Sequence, residues 1–389
     1  MTVITEAEQL KILKDLVAIP SVNDQEQAVA EYLQKLLAKH NIAAKLVQLS
    51  PGRASLVAEI GAGKPIFAVS GHLDVVAPGE LDQWATDPFT LTEKAGKLYG
   101  RGASDMKSGL AAIVIALIEI QDQHLLKKGT IRLLATAGEE IGEPGAIQLY
   151  QAGYLDDVDA LLIGEPSGYN ITYAHKGPLN IRITSKGEAA HSSRPQLGYN
   201  AIDPLIEVLH NANREFRSLT QTDDTLGKVI FNATVIHSGD QVNTIPALAY
   251  ALVNVRATPA FTNQQVIDLL QQLLKAQNDQ GARLSLTVEM SLEPVKAPKD
   301  SRLAQLAVEI GKPYAKTDIP LQATAGGTDA SNFLKDKPAS FPFIVFGPGN
   351  LSSHKANEYV DQDMYLNFVK LYQQLFSTYV NEAKDDTLN

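Results

Sequence analysis

The chain has 389 residues, 44% of them apolar and 20% charged, with a formal net charge of −10 and no cysteine. The acidic balance argues against nucleic acid or an anionic membrane surface as partner, since both call for clustered Lys and Arg. The lack of cysteine excludes disulfides, thiol nucleophiles and Cys-held zinc, whereas an anionic substrate stays open because a metal ion can reverse the sign of a site.

The length predicts two domains. The first residues carry neither a basic stretch nor a signal-type apolar core, so a cytoplasmic protein is expected. The apolar run Leu110–Ile120 stops at Gln121-Asp122 and reads as a buried helix, too short to span a membrane. Near the start, Thr5 and Glu8 form a capping box. Leu10, Leu13, Leu16 and Val17 then recur at helical spacing up to Ile19-Pro20. A second helix is predicted from about Asp24 to His40, with His40 on the surface at its carboxyl end. Residues 44–49 and 55–60 read as strands, and Ile66–Ser70 as a short buried one. Trp84, in a Pro-containing loop, is expected to pack that loop down.

Ligand-type residues gather where these strands end. Ser70-Gly71-His72-Leu73-Asp74 sets a His and an Asp two apart, which puts both on one face of an extended chain. Taken alone, such a pair more often caps a strand than binds anything. Asp105 follows the Gly100-Arg101-Gly102 turn and precedes the Leu110 helix, where it is either an N-cap or a group aimed into the same crevice as His72. That glycine turn is not a nucleotide loop, because Asp stands where a dinucleotide fingerprint needs Gly and no Gly precedes Lys107. Strand 130–136 ends in Glu139-Glu140, two carboxylates tolerable only in water or beside cations. Strand 160–163 ends in Gly164-Glu165-Pro166. One His and several carboxylates after successive strands point to a hard or borderline metal site at the carboxyl edge of a parallel sheet, where open α/β sheets place their sites.

From Lys176-Gly177 onward the pattern changes to β-α-β-β-α-β: strands near 179–184, 229–237, 248–256 and 284–290, and helices near 200–216 and 264–277. That order reads as an inserted split βαβ domain, with Pro294 to Pro298 as the return linker. Helix and strand alternation then resumes through the Gly326-Gly327-Thr328-Asp329 turn, strand 343–346, His354 and a closing helix at 364–380.

Six stretches, Ser70–Val76, Gly100–Gly109, Ala137–Glu140, Gly164–Pro166, Gly187–Pro195 and Gly347–Glu358, together resemble the dizinc amidohydrolase and peptidase family that includes succinyl-diaminopimelate desuccinylase, acetylornithine deacetylase, aminoacylase and glutamate carboxypeptidase. The resemblance implies an α/β, zinc-peptidase-like catalytic domain with a central mixed, mostly parallel sheet, formed by residues 1–176 and 294–389. It also implies an α+β, ferredoxin-like lid at 177–293 through which a homodimer forms. Two Zn2+ per subunit are expected, with Co2+ or Mn2+ acceptable to the same donors. The implied ligands are His72, Glu165 and a shared Asp105 for one metal, and His354, Glu140 and the same Asp105 for the other.

By the same likeness Asp74 orients His72, Glu139 is the general base, and His191 reaches the partner subunit's site to stabilise the oxyanion. Asn243 and Arg256 bind the substrate carboxylate, with Gly327 and Thr328 beside them. Lys176 and Arg194 are further basic side chains available to an anionic substrate, although such residues are more often solvated. His40, His124, His175, His210 and His237 fit no ligand pattern.

The expected reaction is hydrolysis of the amide in a small N-acyl amino acid, foremost N-succinyl-LL-2,6-diaminopimelate. The His354 and Gly326 stretches look more like desuccinylases than acetylornithine deacetylases. Acetylornithine deacetylation and dipeptide or carboxypeptide cleavage are the alternatives. A catalytically silent homologue acting by binding alone would have lost a ligand or the base, and none is missing here. A serine hydrolase is disfavoured because the chain has no Gly-x-Ser-x-Gly elbow.

Overall fold

The structure is a computed structural model that describes residues 4–383. It divides into two compact units. The first comprises residues up to Tyr173, Ala297–Gln322 and the chain from Thr328 onward; the second comprises Ala174–Lys296 with Ala323–Gly327. The second unit therefore runs a few residues beyond the expected 177–293 at each end and takes in the turn that holds Gly327.

The first unit is built on a mixed sheet in the strand order Ala44–Ser50, Arg53–Ala62, Gly129–Thr136, Ile66–His72, Ala160–Pro166, Phe343–Gly347. Parallel pairing joins only the last four strands of that order, and the two at its start pair antiparallel. The fully buried strand Ile66–His72 lies between two parallel neighbours, as its unbroken apolar run demands.

The capping box of Thr5 and Glu8 starts the helix Glu6–Val17. The helix Lys107–Asp122 is buried on every side as far as Ile120, as its apolar run Leu110–Ile118 demands. It packs against helices Glu6–Val17 and Gln362–Glu382 and against the His72 strand. Its first turn lies hard against the strand that carries Glu165: a methyl group added at Gly109 would sit 2.0 Å from the Gly164 carbonyl oxygen. Trp84 packs its loop down, donating from Nε1 to the Pro78 carbonyl at 2.9 Å and lying under the Arg101 guanidinium. His40 is half-buried, with Nδ1 2.7 Å from Asp122 Oδ2.

The second unit is the expected β-α-β-β-α-β arrangement. Its four-stranded antiparallel sheet runs Ile230–Ser238, Leu248–Ala257, Gly177–Lys186, Leu284–Ser291. Burial alternates residue by residue along Leu248–Ala257, so one face is packed. The amphipathic helices Ile202–Ser218 and Asn263–Asn278 contribute Leu205, Val208, Val266 and Leu270 to that core. The outermost strand, Ile230–Ser238, is exposed along most of its length, including Val235 and Ile236. No helix among the described residues is long and apolar enough to cross a membrane.

Candidate metal centre

His72 is the last residue of its strand, and Glu165 sits near the end of the neighbouring one, so the sheet itself sets their positions. His72 is buried, and its Nδ1–H donates to the Asp74 backbone carbonyl at 2.9 Å. In the neutral ring that bond leaves the Nε2 lone pair facing Asp105 Oδ1 at 3.0 Å and Glu165 Oε1 at 3.4 Å. Those contacts are satisfied by a proton on Nε2 or by a cation between the three groups.

Asp105 reaches the site by a different route from the one its sequence position suggests. The strand before it, Lys97–Tyr99, belongs to a small separate three-stranded sheet, and the turn from Gly100 carries the chain back to the cluster. Met106 takes the cap position of the following helix without a side-chain bond, so the Asp105 carboxylate is free of that duty. Its second oxygen, Oδ2, lies 3.4 Å from His354 Nε2, which is itself 2.9 Å from Glu140 Oε1. One carboxylate thus turns one oxygen to each of two histidines. His72, Asp105 and Glu140 form one group of donors within 4.8 Å of one another, and His72, Glu139 and Glu165 form another.

Asp74 does something the sequence reading did not foresee. Its contact to His72 at hydrogen-bond distance is made by the backbone carbonyl. Its buried carboxylate, 3.7 Å from His72 Nδ1, instead accepts the amides of Gly138 and Glu139 on Oδ1 (2.9 and 3.1 Å) and of Glu140 on Oδ2 (3.1 Å). Those three donors are the first turn of a short 3-10 segment entered through Gly138 at φ +79°, a conformation that favours glycine. Asp74 therefore holds the turn that presents both glutamates.

The electrostatics follow from crowding. Burial would lower the His72 pKa, but Glu165, Asp105 and Asp74 raise it well above the ordinary value. Burial pushes the Glu139 carboxyl up, and Glu165 and Glu140 push it further. Glu165 is likewise raised, by burial and then by Asp105 and Glu140, against the pull of His72. Asp105 moves the other way. Burial opposes its ionisation, but bonds from His354 and His72 outweigh it and hold the carboxyl far below the carboxylate range. Bonds to Asp105 and Glu140 raise His354 to about 10. Two histidines and the carboxylates of Asp105, Glu139, Glu140 and Glu165 packed this closely are a donor set suited to multivalent cations, and Asp105 turns one oxygen to each histidine.

Supporting residues missed by the sequence reading surround the cluster. Asp329 is buried, accepts from the Thr136 hydroxyl at 2.5 Å, and is raised by burial to about 7. Glu143 is buried and accepts from Asn332 at 2.6 Å. Lys107 is buried and donates to the Leu16 and Ile19 carbonyls at 2.9 and 2.7 Å. Buried Glu358 receives Arg101 and three backbone amides. Only the position of Lys107 in an otherwise apolar helix start, and of Glu358 four residues after His354, hinted at a role.

The remaining predicted residues divide between the units. His191 and Asn243 are exposed neighbours in the second: Ala190 and His191 pair with Ile245 and Thr244, and the Ser192 amide donates to the Asn243 carbonyl at 2.9 Å. Arg256 is half-buried and donates to the Ala325 carbonyl at 3.4 Å, beside the turn that contains Gly327. Thr328 belongs to the first unit, where it is buried and its hydroxyl accepts from the Ala330 amide at 3.3 Å.

The family profile described as Peptidase family M20/M25/M40 matches residues 68–378. The chain belongs to that family. It is 40% identical to a probable succinyl-diaminopimelate desuccinylase of Staphylococcus epidermidis, over 98% of this chain and 100% of the relative. The fold is similar to an M20 family metallo-carboxypeptidase from Sulfolobus solfataricus (TM-score 0.80, 19% identity, 96% of this chain and 99% of that one). It is also similar to a dinuclear metal-binding M20 peptidase of Bacillus subtilis (TM-score 0.71, 18% identity, 97% and 99% covered). This M20 protein is accordingly a metal-dependent amidohydrolase, of a family that acts on small acylated amino acid or peptide substrates.

Proposed function

We propose that the enzyme cleaves N-succinyl-LL-2,6-diaminopimelate to succinate and LL-2,6-diaminopimelate. The observation that carries the chemistry is Asp105, turned with one oxygen to His72 and the other to His354, with Glu139 beside them. The succinyl substrate is supported by the name of the full-length relative at 40% identity. His72, Glu165 and Asp105 would hold one cation, and His354, Glu140 and Asp105 the other, with zinc as the proposed metal and cobalt or manganese tolerated. Bound there, the cations supply an electrophile for the amide carbonyl and lower the pKa of water.

Glu139 takes a proton from the attacking water and passes it to the leaving amine. His191, reaching into the site of the partner subunit, donates to the carbonyl oxygen as it gains charge. Its tautomer suits this: the Ser193 amide donates to Nδ1 at 3.1 Å, so the neutral ring carries its proton on Nε2. Arg256 and Asn243 bind substrate carboxylate, with the Gly326-Gly327 turn next to Arg256. Thr328, its hydroxyl engaged by Ala330, serves by holding the start of the following helix. A homodimer forms through the second unit, where the edge strand Ile230–Ser238 leaves Ile230, Val235 and Ile236 exposed at 41, 42 and 58%.

The test is amine release from N-succinyl-LL-2,6-diaminopimelate, N-acetylornithine and a dipeptide panel, using zinc-loaded protein. A preference for the succinyl substrate of at least about a hundredfold in kcat/KM is expected from a site that pairs its far carboxylate. A larger kcat/KM on any other member of the panel overturns the substrate.

A further inference from the structure

Glu358 is fully buried, and burying a carboxylate is costly unless donors surround it. Here four do. Oε1 accepts the amides of Ser104 and Asp105, both at 2.8 Å, and Oε2 accepts the Gly102 amide at 3.0 Å and Arg101 Nη1 at 2.5 Å. Three of the four belong to the backbone of the turn that ends in Asp105. Without the carboxylate, those amides would stand in the interior with no acceptor. Arg101 is fixed in its turn by the Trp84 ring, 5.3 Å from the guanidinium carbon.

Glu358 also closes the loop that carries His354. At the other end of that loop Asn350 engages the same turn: its amide donates to Ser104 Oγ at 2.9 Å, and Ser104 Oγ donates to its carbonyl at 3.2 Å. The loop from Asn350 to Glu358 is therefore clasped at both ends to the turn Gly102–Asp105. Asp105 Oδ2 and His354 Nε2 lie 3.4 Å apart, and these bonds tie their two segments together beside the Gly100 amide, which donates to the Glu358 carbonyl at 3.0 Å, and the pairing of Tyr359–Asp361 with Lys97–Tyr99.

We propose that Glu358 is a positioning residue for the shared carboxylate: it fixes the backbone of Asp105 against the His354 loop, and so sets the spacing of the two cation sites. The inference rests on the reading of Asp105 as the shared ligand. Calorimetric Zn2+ titration of the metal-free full chain, with the visible spectrum of the Co2+-loaded form, tests it alongside kinetics. In Glu358→Gln an amide donor replaces one oxygen and faces the backbone donors. The expected result is Zn2+ affinity at the weaker of the two sites falling about 10- to 100-fold, the range for lost outer partners of metal ligands. The Co2+ bands shift, and kcat falls by a similar factor while KM changes less than about twofold.

Leu117→Ala, which removes a buried side chain from the adjacent helix, is the stability-matched control and keeps the wild-type isotherm and Co2+ spectrum. Should the Gln variant fail to fold, Glu358→Asp keeps the charge and carries the same readouts, with a smaller affinity loss expected. An unchanged isotherm and spectrum in the variant that folds overturns the proposal, as does an equal loss in Leu117→Ala. If the wild-type chain itself takes up fewer than two cations, it is the shared-carboxylate reading that fails.

Discussion

Two histidines of this chain start from nearly the same position. His72 and His175 each end a strand, each is buried, and each donates its Nδ1–H to a nearby backbone carbonyl, at 2.9 and 3.0 Å. Their protonation goes opposite ways. His175 is pushed down to about 4 by burial, with the Lys176 carbonyl only partly opposing it. His72 suffers the same burial but is raised well above the ordinary value by Glu165, Asp105 and Asp74. Position on a strand end and burial therefore do not make a histidine a ligand. The acids brought round its far nitrogen do: Asp105 comes from a turn and Glu165 from the neighbouring strand.

The comparison breaks most severely if the carboxylates around His72 lose their chemistry. Glu139→Gln removes the proposed base and keeps the volume. Its kcat is expected to fall about a thousandfold, within the range for a lost general base, while metal analysis still finds the wild-type cation content. Activity above a tenth of wild type would remove Glu139 from the proton transfer. A milder break separates the two anchors that Asp74 supplies. Asp74→Asn leaves its backbone carbonyl on His72 but sets an amide group against the donors of the Gly138–Glu140 turn. A loss of about 10- to 100-fold in kcat is expected. If activity is intact, the turn does not need the carboxylate.

Strand-borne parts of the site were legible because the sheet's own period carries them. His72 and Glu165 follow runs of buried apolar residues, and those runs formed adjacent parallel strands. The β-α-β-β-α-β order of the second unit was legible for the same reason, as alternation along Leu248–Ala257 shows. Loop-borne parts were legible only as residue types. Asp105 was expected after a strand of the main sheet, yet a turn of several residues delivers it from a separate small sheet. Periodicity is silent on the path of such a turn. Its path depends on Glu358, whose partners in the turn lie more than 250 residues away, a pairing that no local pattern encodes. The second task of Asp74 was hidden for the same reason, since the amides its carboxylate accepts are more than 60 residues away. The mixed character of the sheet comes from its first two strands, which pair antiparallel.

The smallest effect comes from the His175 side and concerns stability alone. Its folded pKa of about 4 lies below the ordinary 6.5, so between those values the unfolded chain binds a proton that the folded chain refuses. Stability contributed by the neutral ring is thus fully present above pH 6.5 and is lost as the pH falls through 4, amounting to about 3 kcal/mol for a shift of this size. His175→Gln keeps a side-chain donor but does not titrate. Thermal unfolding from pH 7 to pH 4 is therefore expected to show a shallower decline in the variant than in the wild type, with the two curves converging toward the acid end. Parallel curves would mean that burial does not set the charge of His175, and the contrast with His72 would then rest on the surrounding carboxylates alone.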